Sequence, residues 1–245
     1  MTGAARRIGK AIALDLAAHG YAIAIHANSS GKEAEDVAGT IRDAGGLADV
    51  FLADLSDSKA VRRLYAQVSK QLGAPDIIVN NASVFESDEV RSFDEERFDR
   101  HFAIHVKAPA ILAEAMAAGL PDGQDGLIVN IIDQRVWSLT PRFFSYTLSK
   151  STLWTATQTM AQALAPRIRV NAIGPGPTLA NERQNTDDFA RQAAAVPLQH
   201  GPELAEFGAT IRYLHEARSV TGQMIALDGG QHLAWETPDV VDVGE

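Results

Sequence analysis

Short runs of Val, Ile and Ala alternate along this chain with longer stretches whose apolar residues recur every three or four positions. Near-continuous apolar runs suit parallel strands buried on both faces, and the longer periodic stretches suit helices laid against them. Strands are predicted at 21–27, 48–53, 76–80, 127–132, 167–173 and 224–227, and helices at about 7–19, 31–44, 57–72, 94–118, 143–165 and 203–215. That order makes a doubly wound α/β parallel sheet in three αβα layers. With 245 residues, 46% of them hydrophobic, the chain can fill one large core, and one domain over 1–245 is expected. The stretch from Pro175 to Pro202 is long and polar, and its part at about 177–201 reads as a lid over a site.

A net charge of −9 argues against nucleic acid or an anionic membrane as partner, so any phosphate must be held by a local site. The absence of cysteine excludes disulfides, thiolate zinc sites and thiol nucleophiles, and fits a reducing, cytoplasmic setting. No uninterrupted apolar run reaches the roughly 20 residues of a membrane span, and the N-terminus lacks a signal-peptide layout.

The stretch TGAARRIG at 2–9 places Gly3 and Gly9 at the start of the first helix, whose exposed N–H groups suit a pyrophosphate. Such a turn normally follows a buried central strand, yet only Met1 precedes it. Neighbouring strands would then have unpaired backbone groups, each costing about 1–3 kcal/mol. The expectation is therefore a natural polypeptide that begins several apolar residues upstream of Met1, with the first strand missing from this sequence. Where an NAD enzyme would carry an acidic residue after the second strand, this chain has His26, Ala27, Asn28, Ser29 and Ser30. With Arg6 and Arg7 in the turn, this favours the 2′-phosphate of NADP(H).

Tyr146 and Lys150 are four apart on a predicted helix and share a face. An ammonium beside a phenol is expected to lower its pKa from about 10 and make it a usable acid or base. His101 and His105 have the same spacing. With no intervening glutamate and no third ligand, they are not read as a metal site.

Six separated stretches, TGAARRIG at 2–9, DL at 54–55, NNAS at 80–83, YTLSK at 146–150, NAIGPG at 171–176 and LDGG at 227–230, together resemble the short-chain dehydrogenase/reductase family over essentially the whole chain. The resemblance implies a Rossmann fold and an NADP(H)-dependent oxidoreductase acting on a small molecule. It implies cofactor contacts from Gly3, Arg6, Arg7, Ile8, Asn28, Ser29, Asn81, Ala82, Ser83, Pro175 and Gly176. Asp54 and Leu55 would hold the adenine, and Thr178 would lie near the carboxamide or phosphates. Tyr146 and Lys150 would be catalytic, Lys150 also holding the nicotinamide ribose. It further implies a homo-oligomer, dimer or tetramer, built through the two long helices.

The chain departs from the common family pattern in two places. Asp133 stands thirteen residues before Tyr146, where most members have serine, and a carboxylate suits a substrate with N–H donors and a ring nitrogen to be protonated. In this, in Arg7, in NASVF at 81–85 and in the aromatic Phe143, the chain resembles pteridine reductases. That resemblance implies a catalytic role for Asp133, and a pterin or dihydropterin substrate stacked on Phe85 with Phe143 nearby. His105 replaces the usual asparagine of the proton relay. The alternatives are a reductase of small ketones and a catalytically idle NADP(H)-binding protein.

Overall fold

The computed structural model describes residues 1–180 and 186–235. The acidic tail after Trp235, and the part of the expected lid at 181–185, lie outside the described residues.

In chain order the elements are α1 (Arg7–Ala18), β1 (Ile23–Ala27), α2 (Gly31–Asp43), β2 (Ala48–Leu52), α3 (Ser58–Leu72), β3 (Ile77–Asn80), α4 (Glu95–Phe102), α5 (Ala108–Gly119), β4 (Gly126–Ile131), α6 (Phe144–Leu164), β5 (Ile168–Pro175), α7 (Thr186–Ala194), α8 (Leu204–Glu216) and β6 (Met224–Leu227). All pairings are parallel: β1 with β2, and β3, β4, β5 and β6 in that order. Strands and helices alternate as the sequence pattern predicts. The helix expected at 94–118 is divided into α4 and α5, and α7 is added inside the segment read as a lid, where Asp187 and Asp188 supply the acidic first turn that favours a helix start.

Helices cover both faces of the sheet. Ile12, Val37, Phe207 and Ile211, from α1, α2 and α8, enclose one side, with Ile25 and Val129 of the strands in the same cluster. Leu64, Leu112, Met116 and Ala161, from α3, α5 and α6, enclose the other with Ile128 and Val170. The stretch Glu95–Gly119 reaches a mean hydropathy of 1.2 over 18 residues, which matches a membrane span by length and composition. Its residues Ala108, Ile111, Leu112 and Met116 are nevertheless buried in the core beside α3.

Among the described residues no strand lies between β1 and β3, and Met1–Ala4 bridges the gap. On one side Met1 N donates to Ala24 O at 2.9 Å, His26 N to Met1 O at 3.0 Å and Ala4 N to His26 O at 3.0 Å. On the other side Thr2 N donates to Val79 O at 2.9 Å. The His26 side chain reinforces the junction. Its Nδ1 accepts from Gly3 N–H at 3.2 Å, so Nε2 carries the proton and donates to Ala53 O at 2.9 Å. The ring is 4% exposed, and burial pushes its pKa down to about 4.

A histidine with a folded pKa below its unfolded value of 6.5 contributes stability that is complete above pH 6.5 and is lost as pH falls toward 4. The loss through His26 amounts to about 3 kcal/mol, to which buried His105 adds. Thermal melts followed by circular dichroism should show the melting temperature falling across this window. His26→Asn, which cannot titrate, should fall less steeply, and an equal slope in the two proteins would refute the assignment.

Candidate active site

The strand ends and helix starts meet at a cleft of about 630 Å³. Every residue predicted for catalysis or cofactor contact lines it, as does Phe85, whereas Phe143 reaches it only through Phe85. The turn after Met1 forms the floor. Gly3 has a φ of +61°, and a Cβ there would stand 2.8 Å from Ala82 Cα. A Cβ on Gly9 would stand 2.1 Å from Gly3 O. Only glycine allows these approaches. Thr2 Oγ1 accepts from Asn81 N and Ala82 N, both at 3.0 Å, and Asn81 Nδ2 donates to Gly3 O at 2.8 Å and to Thr2 O at 3.1 Å. Asn81 therefore lines the cleft while its amide holds the turn in shape.

Neither α1 nor α2 has a side-chain cap on its N-terminus, and no acidic residue lies in the first turn of α1. Their open N–H groups face the same cleft, along with Asn28, Ser29 and Ser30. Arg6 at the rim forms an ion pair with Glu33. Arg7 donates through its guanidinium to Leu179 O at 3.0 Å and Ala180 O at 2.8 Å, tying the turn to the segment leading into α7. Asp54 Oδ1 accepts from Ser56 N and Oγ, both at 2.8 Å, and these bonds hold its carboxyl below the usual range. Ile8, Leu55, Pro175 and Gly176 supply walls, and Thr178 Oγ1 donates to Gly176 O at 3.1 Å.

At the other end, Tyr146 donates its Oη–H to Asp133 Oδ2 at 2.9 Å, while Asp133 Oδ1 accepts from Arg135 N at 2.9 Å. Lys150 is buried, donates to Ile131 O at 2.8 Å, and holds its ammonium 5.7 Å from the Tyr146 ring centroid. The expected lowering of the phenol pKa is reversed. Burial, with the Asp133 charge, pushes Tyr146 well above its ordinary value. Burial in turn brings Lys150 down to about 8. The carboxylate hydrogen-bonded to the phenol outweighs an ammonium engaged elsewhere, so Tyr146 stands ready as a proton donor.

Phe143 stacks on one face of Phe85, with centroids 4.3 Å apart and planes 13° apart, and Tyr146 meets Phe85 edge-on at 4.8 Å. His105 lies in a widened helical turn, Ala103–Lys107, between α4 and α5. Its Nε2 accepts from Val84 N–H at 3.2 Å and pairs with Ser83 Oγ at 2.9 Å, while Nδ1 pairs with Ser149 Oγ at 2.8 Å. The Val84 bond requires a bare Nε2 and therefore a neutral ring. Burial, then Lys150 and His101, holds the His105 pKa well below its usual range. Ser83 is thus directed to His105. Among the described residues no group of three His, Asp or Glu is placed to hold a metal.

Sequence reasoning missed several lining residues: Gln134 and Arg135 after Asp133, Phe189 and Gln192 on α7, and Gln231. It also missed Asp88, whose buried carboxylate accepts from Ser145 N and Oγ and so fixes the start of α6. Arg135 was legible by adjacency to Asp133. The others lie outside the six motif stretches.

Residues 3–232 match the family model adh_short_C2, described as enoyl-(acyl carrier protein) reductase. The structure resembles that of FolM alternative dihydrofolate reductase 1 from Brucella canis complexed with NADP, at 62% identity and a TM-score of 0.96, covering 98% of this chain and 95% of that one. It also resembles a blue fluorescent protein from a metagenomic library in complex with NADPH, at 32% identity and a TM-score of 0.85, covering 94% and 95%. An uncharacterized oxidoreductase of Methylorubrum extorquens is 32% identical over 239 residues, 94% of this chain and 95% of that protein. The chain belongs to the short-chain dehydrogenase/reductase family.

Proposed function

We propose that this protein is an NADPH-dependent reductase of a pterin or dihydropterin C=N bond. The observation that carries the reading is the Tyr146–Asp133 hydrogen bond at 2.9 Å beside Phe85. A serine in place of Asp133 would offer a hydroxyl donor to a ketone oxygen. A carboxylate accepts, and so favours a substrate that presents N–H groups and needs a proton on nitrogen. The likeness to a FolM alternative dihydrofolate reductase complexed with NADP supports both substrate and cofactor.

The cleft fits NADP(H). Two uncapped helix N-termini and the closely packed glycine turn suit a pyrophosphate, and the hydroxyls after β1, without a carboxylate, suit a 2′-phosphate. Gly3, Arg6, Arg7, Ile8 and the 81–83 segment would hold its phosphate side, Asn28 and Ser29 its 2′-phosphate, Asp54 and Leu55 its adenine, and Pro175, Gly176 and Thr178 its nicotinamide end. When bound, NADPH supplies the hydride that adds to the substrate carbon.

The chain supplies the proton and the orientation. Tyr146 Oη carries a proton that burial keeps in place, and passes it to the substrate nitrogen as the C=N bond is reduced. Asp133 holds Tyr146 Oη in place through their hydrogen bond and would accept an N–H elsewhere on the substrate, so that the imine nitrogen, which bears no proton, faces Oη. The Lys150 ammonium, held against Ile131 O, offsets the charge left on the phenolate. Phe85 provides the stacking surface, with Phe143 behind it.

Lys150 contributes only while charged, so NADPH oxidation with dihydrobiopterin should decline as pH rises through about 8. Lys150→Arg should carry activity past that point, and an unchanged alkaline limb would count against the role. Phe85→Ala should raise the dihydropterin KM about tenfold and leave NADPH affinity within twofold, measured by steady-state kinetics and cofactor fluorescence titration. Turnover of simple ketones without any turnover of dihydropterins would overturn the proposed function.

A further inference from the structure

Among the described residues four cationic side chains line the cleft, and three are engaged within the protein. Arg6 pairs with Glu33, Arg7 donates to Leu179 O and Ala180 O, and Lys150 donates to Ile131 O. Arg135 differs. Its backbone N–H is anchored on Asp133 Oδ1, and its guanidinium carbon lies 5.2 Å from the Phe85 ring centroid and 5.0 Å from that of Phe143. The Nη1 atom is buried and has no hydrogen-bond partner among the described residues. A buried donor of a charged group left unmade is costly, and an acceptor brought by a ligand removes that cost.

We propose that Arg135 is a specificity-determining residue whose guanidinium donates to the ring carbonyl oxygen of the substrate. The inference rests on the pterin reading and sharpens it. Arg135 stands beside the aromatic ring on which the heterocycle would stack, so the group within reach belongs to the ring rather than to a side chain further out. It also follows Asp133 by two positions, which places donor and acceptor side by side. In a 2-amino-4-oxo pterin the oxo oxygen is the immediate neighbour of N5 across the ring fusion. A substrate whose N5 faces Tyr146 and Asp133 therefore brings that oxygen toward Arg135. The bond reduced is then N5=C6 of a 7,8-dihydropterin: hydride adds to C6, the Tyr146 proton to N5, and the product is the tetrahydropterin. A 4-amino ring presents N–H groups where the oxo oxygen would be, and donor would meet donor.

The test compares wild type, Arg135→Leu and Arg135→Lys, each with an NADPH titration and a thermal melt to establish folding. Folate and aminopterin share a tail and differ at ring position 4, oxo in one and amino in the other, so both serve as competitive inhibitors. Arg135→Leu should raise KM for dihydrobiopterin and dihydrofolate alike, by about tenfold, with kcat changed less. It should weaken folate inhibition by a similar factor and leave aminopterin unchanged or tighter, and Arg135→Lys should recover part of the loss. Equal weakening of both inhibitors, a KM rise confined to dihydrofolate, or an unchanged KM would overturn the proposal while leaving the pterin reading standing. A wild-type protein that binds NADPH and turns over no dihydropterin would overturn both.

Discussion

The candidate active site depends on a four-residue bridge. Met1–Ala4 is the element, among the described residues, that bonds to the backbones of both β1 and β3, and the cofactor-facing turn is its continuation. Helix dipoles and hydroxyls can favour a phosphate only if the turn is held at a fixed depth below it. The Thr2 hydroxyl, the Asn81 amide and the His26 ring set that depth through bonds to both sides. Each polar group is buried or half-buried, so losing one leaves a partner unpaired rather than simply removing a contact. A change at Asn81 would therefore be felt at Gly3 before it was felt by any bound molecule.

The chemical end of the cleft is governed by desolvation. Tyr146, Lys150 and His105 are all buried, and each is pushed toward its neutral form: the phenol up, the ammonium and imidazole down. Asp133 supplies negative charge to this low-dielectric region, which works against ionisation of Tyr146 and in favour of the Lys150 ammonium. The proton is thereby held on Tyr146, as the proposed role of general acid would require. His105, neutral by hydrogen bonding as well as by burial, ties the segment carrying Phe85 to Ser149 on α6 without adding a charge.

Strand and helix order was legible because each element repeats one period over many residues, and burial on both faces of the sheet enforces it. The residues facing the cleft were legible from motif spacing, since a turn after a strand can point only toward the sheet's end. Side-chain partners were not. Arg7 bonds to carbonyls 172 and 173 positions away, and Asn81 to a turn 78 positions before it, so neither is visible in local pattern. The pKa of Tyr146 was misread for the same reason. Spacing placed Lys150 on the same face, but whether its ammonium serves the phenol or a carbonyl depends on β4, which brings Ile131 O to it. The helix α7 escaped because it is only nine residues long and lies within a polar stretch read as a loop.

The start of α6 shows how local strain and tertiary bonds combine at the site. Phe143 adopts φ 58° and ψ 51°, a left-handed conformation that costs a bulky residue about 1–3 kcal/mol. It reverses the chain immediately before the helix, so the Phe143 ring lies against Phe85 while Tyr146 falls in the first turn. Asp88 offsets the strain by accepting from Ser145 N and Oγ, where the helix would otherwise have open donors. Asp88 follows Phe85 by three positions, so one short irregular segment contributes both the ring packed on Phe143 and the acid that anchors α6. The distance between Phe85 and Tyr146 is thereby set within that segment, and Asp133 reaches Tyr146 from β4 on the opposite side. The separation of the Phe85 ring and the Tyr146 hydroxyl is therefore fixed on folding, which is the preorganisation that the proposed proton transfer would require.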